Sequence, residues 1–173
     1  MPTQHTRRRL QSKPLYSPAE RERRDASPWT LVQGILAPLQ FLVFAVSLFL
    51  VIRFLTTGDG LAAAATSVVV KTVVLYAIMV TGCIWEKDVF GVYLFAPAFF
   101  WEDVFSMAVL ALHTAYLVAF ATDALGAREQ MLIALAAYAA YVVNAAQFLL
   151  KLKAARRDEA AASRAVPGLA LPE

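Results

Sequence analysis

Four carboxylates, Glu86, Asp88, Glu102 and Asp103, sit in the stretch WEKDVFGVYLFAPAFFWEDVFSMAVLALH (85–113), the part of the chain best equipped for chemistry. Six aromatic residues crowd between Phe90 and Trp101, and His113 follows within an apolar run. Carboxyl groups held in unlike environments can divide acid and base roles, because burial favours the protonated form and a polar setting the ionised one. Glu102, Asp103 and Glu86 are therefore the candidate catalytic groups, and Lys87 could stabilise one of them as an ion. A solvated acidic loop is the plainer reading. It suits Asp88 better than Glu102 or Asp103, which have aromatic and aliphatic neighbours on both sides.

The elements around this stretch must be membrane spans. Of the 173 residues, 60% are hydrophobic and 17% charged, and the charges gather at the two ends and in the central stretch. Long apolar runs between charged segments mark spanning helices. The expected fold is an all-α integral membrane protein, with four transmembrane helices in an antiparallel bundle behind a short interfacial helix. Spans are expected at about 29–52, 64–84, 98–121 and 128–152 within a membrane domain at 16–157. Segments 1–15 and 158–173 are expected to be disordered. Ser17-Pro18-Ala19-Glu20 has the form of a capping box, and Ser27-Pro28 repeats the start signal. Residues 85–97 read as a loop punctuated by Gly91 and Pro97, too short to cross a bilayer. Arg7, Arg8 and Arg9 resemble a charged leader, but the apolar run begins only at Trp29 and continues to about Leu55, as a retained first span would.

Gln33, Gln40 and Ser47 recur every seven residues and should face other helices. Lys71, inside the second span, reads first as a snorkelling lysine and second as a counter-charge. His113 shares a face with Glu102 and Ser106 but lies about 16 Å from Glu102 along the helix. Together they form a polar lane, in which His113 either binds a second part of a large ligand or pairs with Asn144, Gln147 or a tyrosine. Trp85, Tyr93 and Trp101 suit an interfacial belt or a flat conjugated ligand equally.

Several classes are excluded or unsupported. Cys83 is the only cysteine, so neither an intrachain disulfide nor a cysteine zinc site can form. His5 and His113 fall on opposite sides of the first two spans, and no metal site is expected. No glycine-rich phosphate loop appears. The net charge of +3 comes from basic residues flanking spans, where lipid headgroups rather than nucleic acid are the natural partner. Lys and Arg are concentrated before the first span and after the fourth, which places both termini in the cytoplasm.

The segments DASPWTLVQGILAPLQFLVF (25–44), SVVVKTVVLYAIMVTG (67–82), IWEKDVFGVYLFAPAFFWEDVFSM (84–107), LHTAY (112–116) and AYVVNAAQFLLKLKAAR (140–156) are more specific than generic spans. On these, the chain resembles the 3-vinyl bacteriochlorophyllide hydratases, over about residues 16–157. The resemblance implies a hydro-lyase of bacteriochlorophyll synthesis, in a bacterial inner or intracytoplasmic membrane. It would add water to the C3-vinyl group of chlorophyllide or 3-vinyl bacteriochlorophyllide. It implies no redox or nucleotide cofactor, since the magnesium belongs to the chlorin. The pigment and the lipid bilayer are the expected partners, with oligomerisation and contact with other pigment-synthesis enzymes left open. On this reading Glu102 or Glu86 is the acid and Asp103 the base or electrostatic partner. His113, Trp85, Trp101, Tyr93, Arg24, Lys87, Asn144 and Gln147 are candidate pigment contacts, with Arg23, Arg24 or Lys87 as the partner of a free propionate and topology-setting as the plainer role of Arg23 and Arg24. A non-catalytic pigment carrier and a small transporter subunit are the competing readings.

Overall fold

Ser17 opens the first helix as its sequence requires. Its hydroxyl accepts from the Glu20 amide at 3.3 Å, and the Glu20 carboxylate accepts from the Ser17 amide at 2.7 Å. This reciprocal cap, with proline at the first position, starts α1 (Pro18–Ala26). The computed structural model describes residues 15–165, with side chains at 158, 159 and 161–165 excepted. The disorder expected for 1–14 and for 166–173 falls outside the described residues. Four longer helices follow: α2 (Pro28–Thr57), α3 (Leu61–Phe90), α4 (Phe100–Thr122) and α5 (Ala127–Ala165). No strand occurs among the described residues.

All four long helices are long and apolar enough to cross a membrane. Their outer faces carry exposed Leu31, Ile35, Phe41, Phe49, Val73, Val80 and Leu149, as a lipid-facing surface would. The inner core runs through Val51, Val68, Val109, Tyr116, Met131, Ala134, Ala137 and Tyr138. Ala134 and Ala137 give the close approach on α5, whereas Ala136, Ala139 and Ala146 face outward. The seven-residue polar line of α2 turns inward as expected. Gln33 Nε2 donates to Thr81 Oγ1 at 2.7 Å, Ser47 meets Tyr138 at 2.5 Å, and Gln40 is buried.

Three helices run past the expected span ends. Arg53 does not end α2; the helix runs on to Thr57 and stops at Gly58, whose φ of 80° an L-residue with a side chain rarely adopts. Similarly, Trp85, Glu86, Lys87 and Asp88 are not in a loop. They form the last turns of α3, which ends at Gly91 with φ 83°. The true loop is 91–99. α5 continues through 158–165, where DEAAASRA is rich in strong helix formers. The packing is also less even than an ordinary four-helix bundle. α2 lies along α3, and α4 along α5; α3 and α4 touch far less, although a short loop joins them.

Candidate active site

Carboxylates gather where α3 ends and α4 begins. Glu86 lies on the inward face of the last turns of α3, and Glu102 and Asp103 lie on the first turn of α4; all three are buried. The loop between them turns sharply at Phe95, whose φ of 60° is unusual for a residue with a side chain. That turn aims two successive amides into the site. Phe95 N–H donates to Asp103 Oδ2 at 2.7 Å, and Ala96 N–H donates to Glu86 Oε2 at 3.3 Å. The Glu86 and Asp103 carboxyl groups are themselves within hydrogen-bonding reach of each other.

Glu102 has a different partner. Lys151 of α5 reaches its Oε2 at 2.5 Å and also donates to the Ala98 carbonyl. The ammonium lies 4.9 Å from the centre of the Phe99 ring. The three expected catalytic carboxylates therefore divide into a carboxyl pair, Glu86 with Asp103, and an ion pair, Glu102 with Lys151. Lys151 is the residue the sequence reading missed. Its signal was present: Asn144, Gln147 and Lys151 follow one another at helical spacing on one face of α5.

The aromatics form two layers. Tyr16, Trp85, Phe90, Phe99 and Phe148 pack together, with Tyr16 stacked on Phe90 at 5.9 Å and Phe99 stacked on Phe148 at 5.9 Å. Trp85 Nε1 donates to Thr30 Oγ1 at 2.9 Å, which makes Trp85 part of the wall. The outer layer is exposed. Tyr93 and Trp101 keep 60% and 66% of their surface open, and Phe95 and Phe100 flank them. This lip adjoins the carboxyl pair through Phe95 and Asp103.

α1 clamps the same end. Arg23 donates to the Val89 carbonyl at 2.8 Å, near the α3 terminus, and Ser27 donates to Asp88 at 2.8 Å. Asp88 thus ties α1 to α3 from an exposed position. Arg24 lies over the Tyr16 ring at 4.8 Å and pairs with Asp25, and Lys87 donates to the Gly91 carbonyl at 2.8 Å. Both are already engaged in local structure at this end.

The remaining expected contacts lie deeper. Asn144 Nδ2 donates to Ser106 Oγ at 2.9 Å, and Gln147 sits between that pair and Lys151 along α5. His113 is fully buried near the middle of the bundle. Its Nδ1 meets the Val109 carbonyl at 2.8 Å and its ring centre is 5.8 Å from that of Tyr138. Asp103 and His113 are ten residues apart on α4, or about 15 Å of helix. Lys71 does not snorkel. It is fully buried with its Nζ 4.0 Å from the centre of the Tyr141 ring, because its helix turns that face into the bundle rather than toward lipid. Among the described residues no cluster of His, Cys, Asp and Glu could hold a metal ion.

A family model described as 2-vinyl bacteriochlorophyllide hydratase matches residues 16–154. The 2-vinyl bacteriochlorophyllide hydratase of Rhodobacter capsulatus is 67% identical over 148 residues, covering 86% of this chain and 86% of that protein. The protein of the same name from Cereibacter sphaeroides is 67% identical over 148 residues, covering 86% of this chain and 92% of its own length. No solved structure matches.

Proposed function

The chain belongs to the 2-vinyl bacteriochlorophyllide hydratase family, and from that membership we propose that it adds water to the ring-A vinyl group of a bacteriochlorophyllide-type pigment. The vinyl-bearing carbon is numbered 2 or 3 in the two tetrapyrrole nomenclatures. The product carries a 1-hydroxyethyl group in its place. The observation that carries the site assignment is the Glu86–Asp103 carboxyl pair, held by two loop amides beside an exposed aromatic lip.

The chemistry needs a proton donor, a positioned water and negative charge near a developing cation. Two carboxyl groups in contact away from bulk water repel as a dianion, and sharing one proton relieves that repulsion. The pair gives this proton to the terminal vinyl carbon. The π electrons form the new C–H bond and leave a cation on the carbon next to the ring, where the macrocycle delocalises it. Water forms a C–O bond at that carbon and loses a proton to the pair, which returns to its starting state. Glu86 serves as acid and Asp103 as its partner base, with the Phe95 and Ala96 amides fixing both groups. Glu102, paired with Lys151, supplies position rather than a proton.

The outer aromatics Tyr93 and Trp101 receive the flat ring. A pigment reacting at Glu86 and Asp103 does not place its magnesium on His113, because about 15 Å of helix exceeds the half-width of a chlorin. The magnesium arrives with the substrate, and the reaction calls for no redox or nucleotide cofactor. The Lys and Arg residues before the first span and after the fourth support an orientation with both termini and the carboxylate cluster at the cytoplasmic face of a bacterial inner membrane. No specific observation favours the carrier or transporter reading.

The test is turnover of chlorophyllide by the purified protein in oxygen-18 water, read by chromatography and mass spectrometry. A product heavier by one labelled water is expected from the native chain, and about a hundredfold less or lower still from Glu86→Gln with pigment still bound. Near-normal turnover by Glu86→Gln would remove Glu86 from the acid role. Bound but unaltered pigment with the native chain would make it a carrier.

A further inference from the structure

Inward of the carboxyl pair, α4 buries Ser106 and His113 beyond Asp103, and the hydration step as written uses neither them nor the polar side chains that face them. Tyr138, Tyr141 and Asn144 follow at three-residue steps on the inward side of α5, each advancing about 4.5 Å toward Lys151, and half-buried Gln147 lies one step further, at the edge of that side. Ser106 and His113 face them from α4: Asn144 Nδ2 donates to Ser106 Oγ at 2.9 Å, and the His113 and Tyr138 ring centres are 5.8 Å apart. Lys71 enters from α3, its Nζ 4.0 Å from the centre of the Tyr141 ring. Lys71 and His113 are fully buried, and Asn144 is 9% exposed.

Four buried atoms along this column have no hydrogen-bond partner among the described residues: Gln147 Oε1, Asn144 Oδ1, Lys71 Nζ and His113 Nε2. Their chemistry selects what completes them. The Val109 carbonyl can only accept, so His113 Nδ1 carries the hydrogen and Nε2 presents a lone pair. Lys71 therefore offers donors, whereas His113 Nε2 and the two amide oxygens require them. A carboxylate or phosphate would suit Lys71 but would meet three lone pairs. A cation would suit the three acceptors but meet Lys71. Water donates and accepts, and buried waters characteristically bridge such groups.

We propose that Lys71, His113, Asn144 and Gln147 hold a file of internal waters, and that this file delivers the reacting water to Glu86 and Asp103. Delivery from inside is what the geometry calls for, since a flat pigment seated on Tyr93 and Trp101 covers the exposed approach. This role rests on the hydratase reading; the hydration of the column does not.

X-ray radiolytic labelling separates the two on the full chain in detergent. His113 and Tyr141 lack bulk exposure, so rapid labelling of both is expected from adjacent bound water. Unlabelled His113 and Tyr141 would overturn the file, whatever the activity. Ser106→Ala combined with Asn144→Leu removes both members of the central hydrogen bond and narrows the column. This variant is expected to lose about tenfold in kcat with pigment Kd unchanged, as misplacement of a reacting water would cause. Unchanged kcat would overturn delivery. Should the double variant fail to fold, Gln147→Leu at the half-buried end of the column is read by the same criteria. A native chain that labels but hydrates no pigment would overturn the hydratase reading and the delivery role together, leaving the wet column standing.

Discussion

The two polar regions of this molecule are built on opposite terms. At the α3–α4 end, the buried carboxyl groups have specified partners: Asp103 with the Phe95 amide, Glu86 with the Ala96 amide, and Glu102 with Lys151. In the middle of the bundle, Lys71 Nζ, His113 Nε2, Tyr116 Oη and both polar atoms of Gln40 are buried with no partner among the described residues. The first region is held by contacts from a strained loop and from a distant helix, as a site that must fix reacting groups within fractions of an ångström requires. The second supplies polar atoms without fixing them to one another, as groups that hold mobile water would. A structural polar core would satisfy its members internally, because each orphaned buried group is costly.

Breaking the first region should have the largest effect. Glu86→Gln and Asp103→Asn are each expected to lower kcat by about 10²–10⁴-fold, the usual range for general acid–base groups, while absorbance titration shows pigment still binding. A loss confined to KM would move both residues from chemistry to binding. Next comes the ion pair. Lys151→Met leaves the Glu102 carboxylate buried without its cation and should cost about 3 kcal/mol, seen as a lowered unfolding midpoint in mild denaturant. The double variant Lys151→Met/Glu102→Gln should recover most of that loss, and failure to recover would mean that Lys151 acts chiefly through the Ala98 carbonyl.

Smaller effects sharpen the contrast further. Trp101→Ala and Tyr93→Ala remove exposed rings and should leave stability unchanged. Each should raise pigment Kd by roughly three- to tenfold, the equivalent of one aromatic contact. Equal weakening by Trp85→Ala without any stability loss would contradict its place in the packed inner layer. The smallest shift is expected from Lys71→Met. Removing a buried amine that has no hydrogen-bond partner among the described residues should be neutral or stabilise by about 1 kcal/mol, measured as an unfolding midpoint. A large destabilisation would show that the second region depends on Lys71 as the first depends on Lys151.

Much of this was legible along the chain. Apolar run length determined the four spans, because the bilayer leaves a backbone few alternatives to a helix. The capping signal at Ser17 located α1 to the residue, since a cap is a contact between positions three apart. The seven-residue line Gln33, Gln40 and Ser47 identified the inward face of α2 for the same local reason. The helix ends were less legible. Arg53 and the Glu86–Asp88 run stayed helical because an arginine or a carboxylate can remain helical at a membrane border, whereas Gly58 and Gly91 can take the left-handed turn that stops a helix.

What only the tertiary structure decided was which carboxylate pairs with what. Sequence placed Glu86, Glu102 and Asp103 at one depth and no further. Glu102 meets Lys151, 49 positions further along the chain, and Asp103 meets an amide that points inward only because Phe95 adopts a positive φ. Lys71 at 10 Å inside a span reads as a snorkelling residue until α5 places Tyr141 beneath it. Composition and periodicity report which face of a helix is polar. Whether that face finds an ion, an amide or nothing depends on the rotation and approach of helices far apart in the chain, which packing alone sets.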